Sequence, residues 1–431
     1  MTSLLSFLTA DTSSHLGRLD YASLSQQALM EMVISQASGK FQRAYKDKKG
    51  QFIDISDWKG VTIDSDGSVR KIIWEVFTTP VSMNKNEGTL SFEWLPDSLV
   101  ILKCPGNGFK GTIDWKKLPK SLKKINAIVN RLSGSINLHE IREGLEDISL
   151  DYNEFSGTVQ FPKNKTLKCL SVKNNQLHGT LNLSKLPPNL KELSCESNSF
   201  EGNIRLTKLP ESLTSLALQN NSFSGSLNLS SLPEGLEQLD VSYNSLTGSI
   251  DLEHLPSNLE DIDVSHNSLS GTISLQKLPQ SLDGLSLNDN NFTGDILLED
   301  LPKVLTELSL QRNAFDGSVV IGKLSRALDT LEMGNNPLSG KVVLKDVGHD
   351  FWKGDSIDHV TRLREGGRDE DSDSSSDDSS SDDSSEDDSE VEDYDYRRRE
   401  IMQRLLDSAD DWDLDSGSES DSESDSDSES D

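Results

Sequence analysis

Residues 213–235 read LTSLALQNNSFSGSLNLSSLPEG, and at residue 236 the same phrase starts again. Its fixed points are Leu213, Leu216, Leu218 and Asn221, then Gly225, Leu227 and Leu232-Pro233. Working outward, the asparagine recurs at Asn107, Asn130, Asn153, Asn175, Asn198, Asn221, Asn244, Asn267, Asn290, Asn313 and Asn336, every 23 residues with one interval of 22. Each is followed four residues later by glycine, from Gly111 to Gly340, and two further by an aliphatic residue, from Ile113 to Val342. The short copy carries Phe161-Pro162-Lys163-Asn164 where the others have Leu-Pro. A degenerate copy precedes the series: Asn84, Gly88, Leu90, Phe92 and Leu95-Pro96.

A period of 20–30 residues means a stacked array. Within each copy, the alternating leucines predict a short strand with its apolar residues facing inward. The asparagine, repeated coil after coil, predicts a ladder of side chains bonded to backbone where the chain leaves the strand. The glycine predicts a positive φ or a close approach, and proline an extended return path with few helices. No coil buries its own apolar edges, so neighbours supply the core.

The L-x-x-L-x-L-x-x-N phrase identifies residues 58–348 as similar to leucine-rich repeat proteins. The S-G-x-I/L element (Ser270-Gly271-Thr272-Ile273) resembles the plant-type subclass, and the Leu-Pro-x-x-Leu opening resembles protozoan repeat proteins. The resemblance implies a strand-dominated α/β solenoid with a parallel sheet on its concave face and few convex helices.

The chain divides accordingly. Residues 1–57 are an N-terminal helical cap region, in which 23–38 read as one amphipathic helix with Leu29, Met32, Val33 and Ala37 inward and Gly39 as its stop. Residues 58–98 hold a hairpin, Trp58 to Ile63 and Val69 to Phe77 about Asp66-Gly67, and the degenerate repeat. This element resembles the W-x-G-V-x-C cap of secreted plant-type proteins, but Ile63 and Ser56 stand where that family has its cysteine pair. Residues 99–348 are the eleven-repeat solenoid, and 349–368 a C-terminal cap and linker in which Phe351 and Trp352 cover the last coil.

Residues 369–431 are a tail of serine, aspartate and glutamate. They hold 28 acidic and 4 basic side chains, so −24 of the formal charge of −31 sits there and the remaining chain is only mildly acidic. Such a composition predicts disorder. Serines with an acid three residues on, such as Ser374, Ser384 and Ser426, fit an acidophilic kinase. The segment from Tyr394 to Leu414, with Arg397–Arg399, could instead be a docking helix.

These features exclude several classes. No excess of Lys and Arg speaks for nucleic acid, and no run of about 18 apolar residues for a membrane span. Three cysteines without CxxC spacing do not suggest a disulfide scaffold or a metal centre. Cys104 and Cys195 fall in leucine columns, whereas Cys169 faces outward and is the thiol placed to react. Gly317 to Lys323 imitates a phosphate loop but lacks its Ser/Thr. No catalytic constellation and no cofactor is expected.

Between the leucines, the outward strand positions form a concave face; the N-terminal coils are basic, with Lys103, Lys116, Lys117, Lys120, Lys123 and Lys124, and the middle and end of the solenoid are acidic. Candidate partner-binding residues are Asp240, Asp261, Asp263, Glu192, Glu196, Glu307 and Tyr243, with Asp147 and Asp151 flanking them. The expectation is a monomeric, cytoplasmic, non-catalytic scaffold for a basic protein partner. The alternatives are a nuclear, histone-chaperone-like acidic protein, by analogy with the acidic leucine-rich nuclear phosphoproteins, and a receptor-like ectodomain.

Overall fold

The computed structural model describes residues 21, 24–74, 88–141, 143–161 and 164–345, which all belong to one compact unit. The acidic tail, Phe351, Trp352, Asn84 and residues 75–77 of the hairpin lie outside the described residues.

The leucine alternation folds as strands of three residues, from Ile101–Lys103 to Thr330–Glu332, with the middle residue of each buried. They stack in parallel, in chain order, and partners are separated by one repeat: Glu192 pairs with Ser215 and Asp240 with Asp263. The short coil is absorbed here without a bulge, since Asp147 pairs with Cys169. With the cap hairpin the concave sheet has 13 strands among the described residues. The fold is a strand-dominated leucine-rich repeat solenoid.

Each asparagine side chain closes two coils together. Asn130 Nδ2 donates to the carbonyls of Cys104, Ala127 and Ile128 at 2.8, 3.0 and 3.1 Å, and Oδ1 accepts the Phe109 N–H at 3.0 Å. Asn244 repeats the arrangement with Leu218, Val241, Ser242 and Phe223. To turn the asparagine inward, the residue before it takes a left-handed conformation. Val129, Tyr152, Asn174, Ser197, Asn220, Tyr243, His266, Asp289, Arg312 and Asn335 all have φ between 49° and 56°.

A second, nine-stranded sheet runs behind the first, from Lys110–Thr112 to Asn291–Thr293. Here partners are 21 residues apart, as His178 with Ser199 and Lys110 with Arg131, two fewer than the repeat. The strands therefore slant, and the repeat glycine of one coil lies beside the large apolar residue of the next, Gly179 by Phe200 and Gly202 by Phe223. Gly225 has φ of +83°, and a Cβ there would lie 2.0 Å from Asn203 Oδ1. The last strand of this sheet ends at Thr293, which keeps a single bridge to Ala314 of the next coil. Beyond it Ile296–Leu298, Val319–Ile321 and Val342–Leu344 form a separate three-stranded sheet, and Gly317 and Gly340 no longer need a positive φ. Val319 and Ile321, within the loop-like Gly317–Lys323 stretch, are core residues.

Proline opens a turn on the return path. Its carbonyl accepts the N–H of the leucine three residues on, as Pro210 from Leu213 and Pro256 from Leu259. The described convex side carries only three-residue 3-10 helices, Phe92–Trp94, Leu138–Glu140 and Leu183–Lys185.

At the N-terminal end the helix expected over 23–38 is shorter, and a second one follows it. α1 spans Gln26–Val33, capped by Ser25. α2 spans Gly39–Arg43, capped by Ser38, so Gly39 starts a helix and does not stop one. Ser35 Oγ bonds back to the Met32 carbonyl, a local bond that competes with helix continuation, and Ala37 bridges to Gly88. The buried stripe is Leu29, Met30, Val33, Ile34 and Ala37, with Met32 only half-buried. β1, Val61–Ile63, is antiparallel to β2, Val69–Ile73, and β2 becomes the first parallel neighbour of Ile101–Lys103. Trp58 stacks on Tyr45 at 4.6 Å, and Phe41 meets Trp74 and Phe109 edge-on. Aromatic packing joins this cap to the first coil.

Candidate interaction face

The concave sheet presents three outward columns, and cross-coil register decides what each side chain meets. The basic start is largely neutralised. Lys124 Nζ lies 2.8 Å from Asp147, Lys116 3.0 Å from Glu140, Lys123 3.5 Å from Glu146, and Lys168 2.6 Å from the same Glu146. Asp147 and Asp151 are buried and do not flank an open surface. Asp151 accepts from Ser171 Oγ and from the Lys173 N–H. Glu196 lies beneath Lys173, whose Nζ is 3.7 Å away, and its Oε2 is buried without a hydrogen-bond partner. Burial holds both carboxyls above the ordinary carboxylate range, against the pull of Lys173. Glu192 is exposed at the edge of this group.

Cys104 and Cys195 are fully buried, and all three cysteines are free. The outward Cys169 is not a reactive thiol. It is partly buried between Asp147 and Glu192 on the neighbouring strands, and burial and the two carboxylates push its pKa up to about 12. A thiol held protonated is a poor nucleophile.

The acidic middle is built from adjacent strands. Asp240 pairs in register with Asp263, so their backbones lie about 4.8 Å apart. Each is fixed by its own strand end: Asp240 Oδ1 accepts from the Ser242 N–H and Oγ, and Asp263 Oδ1 from the Ser265 N–H. Asp261 leans over Gly284, where a Cβ would stand 2.9 Å from its Oδ2. Glu307 pairs with Gly284 from the far side, so the glycine leaves a notch between two carboxylates. Asp261 is held above the ordinary range by burial, then by Asp263, Glu307 and Asp283. Asp240 is pushed up to about 6, by burial first, and Asp263 and Asp261 add to the rise against the bonds from Ser242.

A raised carboxyl pKa means that the folded state binds the proton more tightly than the unfolded chain. The resulting destabilisation is absent below about pH 4 and develops as pH rises through about 6. Asp240→Asn keeps an oxygen for Ser242 and removes the charge. It should raise stability by about 1–3 kcal/mol at pH 7 and leave it nearly unchanged at pH 4. Thermal melts of both proteins at the two pH values check this, and an equal effect at both would refute it.

Tyr243 is 54% exposed, the most exposed of the large apolar side chains among the described residues. Its ring stacks on His266 from the next coil at 3.9 Å and 15°. His266 Nε2 lies 3.5 Å from Asp289 Oδ2, and Asp289 Oδ1 3.6 Å from Arg312. The sequence reading missed this row. Its signal was the 23-residue spacing of the positions before each asparagine.

No protein-family model matches the chain, and no curated protein does. Among solved structures, it is similar to the ectodomain of the plant membrane receptor kinase GASSHO1/SCHENGEN3 from Arabidopsis thaliana, solved with CASPARIAN STRIP INTEGRITY FACTOR 2. The identity is 20%, over 75% of this chain and 47% of that one, with a TM-score of 0.53. PEPR1–AtPEP1 matches at 24% identity over 72% and 51% of the two chains, with a TM-score of 0.50. The Arabidopsis receptor kinase HAESA, solved with the peptide hormone IDA and the co-receptor SERK1, matches at 26% over 57% and 46%, with a TM-score of 0.46. The chain spans about half the length of these solved chains. At such identities the likeness to the first two carries the fold alone, that of a leucine-rich repeat solenoid.

Proposed function

We propose that the protein is a non-catalytic scaffold that holds a basic segment of a partner protein on its concave face. The observation that carries this reading is the acidic middle: Asp240, Asp261, Asp263 and Glu307 on three of four consecutive strands, with the Gly284 notch on the fourth. Solenoids present such extended faces for binding, and like charges gathered there favour a cationic occupant. Glu192 and Tyr243 border the face. Asp147, Asp151 and Glu196 lie in earlier coils, engaged by Lys124, Ser171 and Lys173, and are not part of it. In this reading the protein acts as a cytoplasmic monomer, and the serine-rich tail is phosphorylated. The histone-chaperone-like nuclear alternative places basic-partner binding on the tail.

The full chain, titrated with a lysine-rich peptide at low salt and followed by hydrogen exchange, should gain protection across residues 238–309. The variant Asp240→Asn, Asp261→Asn, Asp263→Asn, Glu307→Gln should lose that protection and bind roughly tenfold more weakly or worse. Protection absent from the strands, with an affinity that the variant leaves unchanged, would place binding on the tail and overturn the scaffold reading.

A further inference from the structure

We infer that the Tyr243–His266 ring pair, together with Asp240 and Asp263, is a receptor for arginine in the incoming segment, and this rests on the concave-face reading above. The rings occupy consecutive coils, three residues after Asp240 and Asp263 respectively. Both sit in the left-handed column, with φ of 49° and 51°. The backbone does not ask for rings there. Other coils fill the position with Asn174, Ser197, Asn220 and Asn335, and asparagine tolerates this conformation best among non-glycine residues. Nor does the core ask for Tyr243, whose ring is mostly in solvent. An aromatic placed at a backbone cost, and left uncovered, is explained by what it offers to a partner.

The platform is held in place. His266 lies against Tyr243 on one side and near Asp289 on the other, and Arg312 approaches Asp289 in turn. The neighbouring carboxylates are fixed too: one Asp240 oxygen accepts from the Ser242 N–H and hydroxyl, and one Asp263 oxygen from the Ser265 N–H.

Charge complementarity selects a cation, and the flat ring selects which one. A guanidinium is planar and weakly hydrated, stacks on aromatic faces, and presents a fork of donors to carboxylates. An ammonium is a compact, strongly hydrated point charge that gains less from the ring. The occupant is therefore an extended protein segment bearing arginine.

Two synthetic peptides test this on the full chain: an alternating glycine–arginine peptide and its glycine–lysine counterpart. The arginine peptide should bind roughly three- to fivefold more tightly. Tyr243→Ala should abolish that preference and leave the lysine peptide's affinity unchanged, while Tyr243→Phe should keep the preference. Because Tyr243 is exposed, an unchanged melting temperature will show that the variants fold. Equal affinities in the unaltered protein, or a preference that survives Tyr243→Ala, overturn the inference. If Asp240→Asn with Asp263→Asn weakens both peptides while Tyr243→Ala does nothing, the arginine platform falls and the acidic face stands. If neither change affects either peptide, both fall.

Discussion

Asn130→Ala is expected to cost about 3–4 kcal/mol, because it strips partners from backbone groups that water cannot reach. Asn130 is 2% exposed, and its side chain holds the Phe109 N–H and the carbonyls of Cys104, Ala127 and Ile128. Leaving two of these buried groups unpaired is enough for the stated loss, at about 1–3 kcal/mol each. Asn130→Asp retains the acceptor for Phe109, loses the three donated bonds, and buries a charge, so it should rescue nothing. Denaturant melts give the total, and hydrogen exchange at Phe109 locates it. If Asn130→Ala melts like the unaltered protein, the ladder follows the coil geometry and does not hold it.

Phe223→Ala should cost about 3–5 kcal/mol, the range for removing a buried phenyl ring. The ring is 1% exposed and stacks on Phe200 of the preceding coil with centroids 6.3 Å apart. The cavity would open between two coils, so neither can close it alone. Phe223→Leu should cost less, about 1–1.5 kcal/mol, because other coils place Leu132, Leu177, Leu246 and Leu269 in the same column. Loss of exchange protection should reach the neighbouring coils on both sides, since each contacts only its neighbours. A protein that loses protection uniformly along its length would contradict that nearest-neighbour picture.

The period made the concave strands, the asparagines, the inward leucines and the scarcity of convex helices legible, because equivalence along the chain becomes equivalence in space. It could not show how strands slant. The back sheet pairs residues 21 apart under a repeat of 23, which no column of letters displays. It also could not show which outward residues reach one another. Asp147 reads as an open acid until Lys124 is placed 2.8 Å away by register. Cys169 reads as a reactive thiol until Asp147 and Glu192 close on it. The break after Val33 was hidden for another reason: the apolar spacing continues through Ile34 and Ala37, while the Ser35 and Ser38 side-chain bonds and the Ala37–Gly88 bridge interrupt the helix. Asp240 and Asp263 were legible as a column with Asp261 beside it, whereas the Gly284 notch and the ring pair required neighbouring coils.

The change of back sheet has a consequence for how the array can grow. The coil that begins at Asn290 takes part in both sheets. Asn291–Thr293 pairs with Ser268–Thr272 behind it, and Ile296–Leu298 with Val319–Ile321 ahead. It is an adapter between two kinds of module. Coils on either side of it are interchangeable within their own kind, so a 23-residue unit can be duplicated or deleted there and each new junction reproduces an old one. Removing residues 290–312 would instead press a coil that pairs through one segment against a coil that pairs through another, and no existing junction supplies that fit. Length is thus a variable that evolution can change one coil at a time in this molecule, except at one plane.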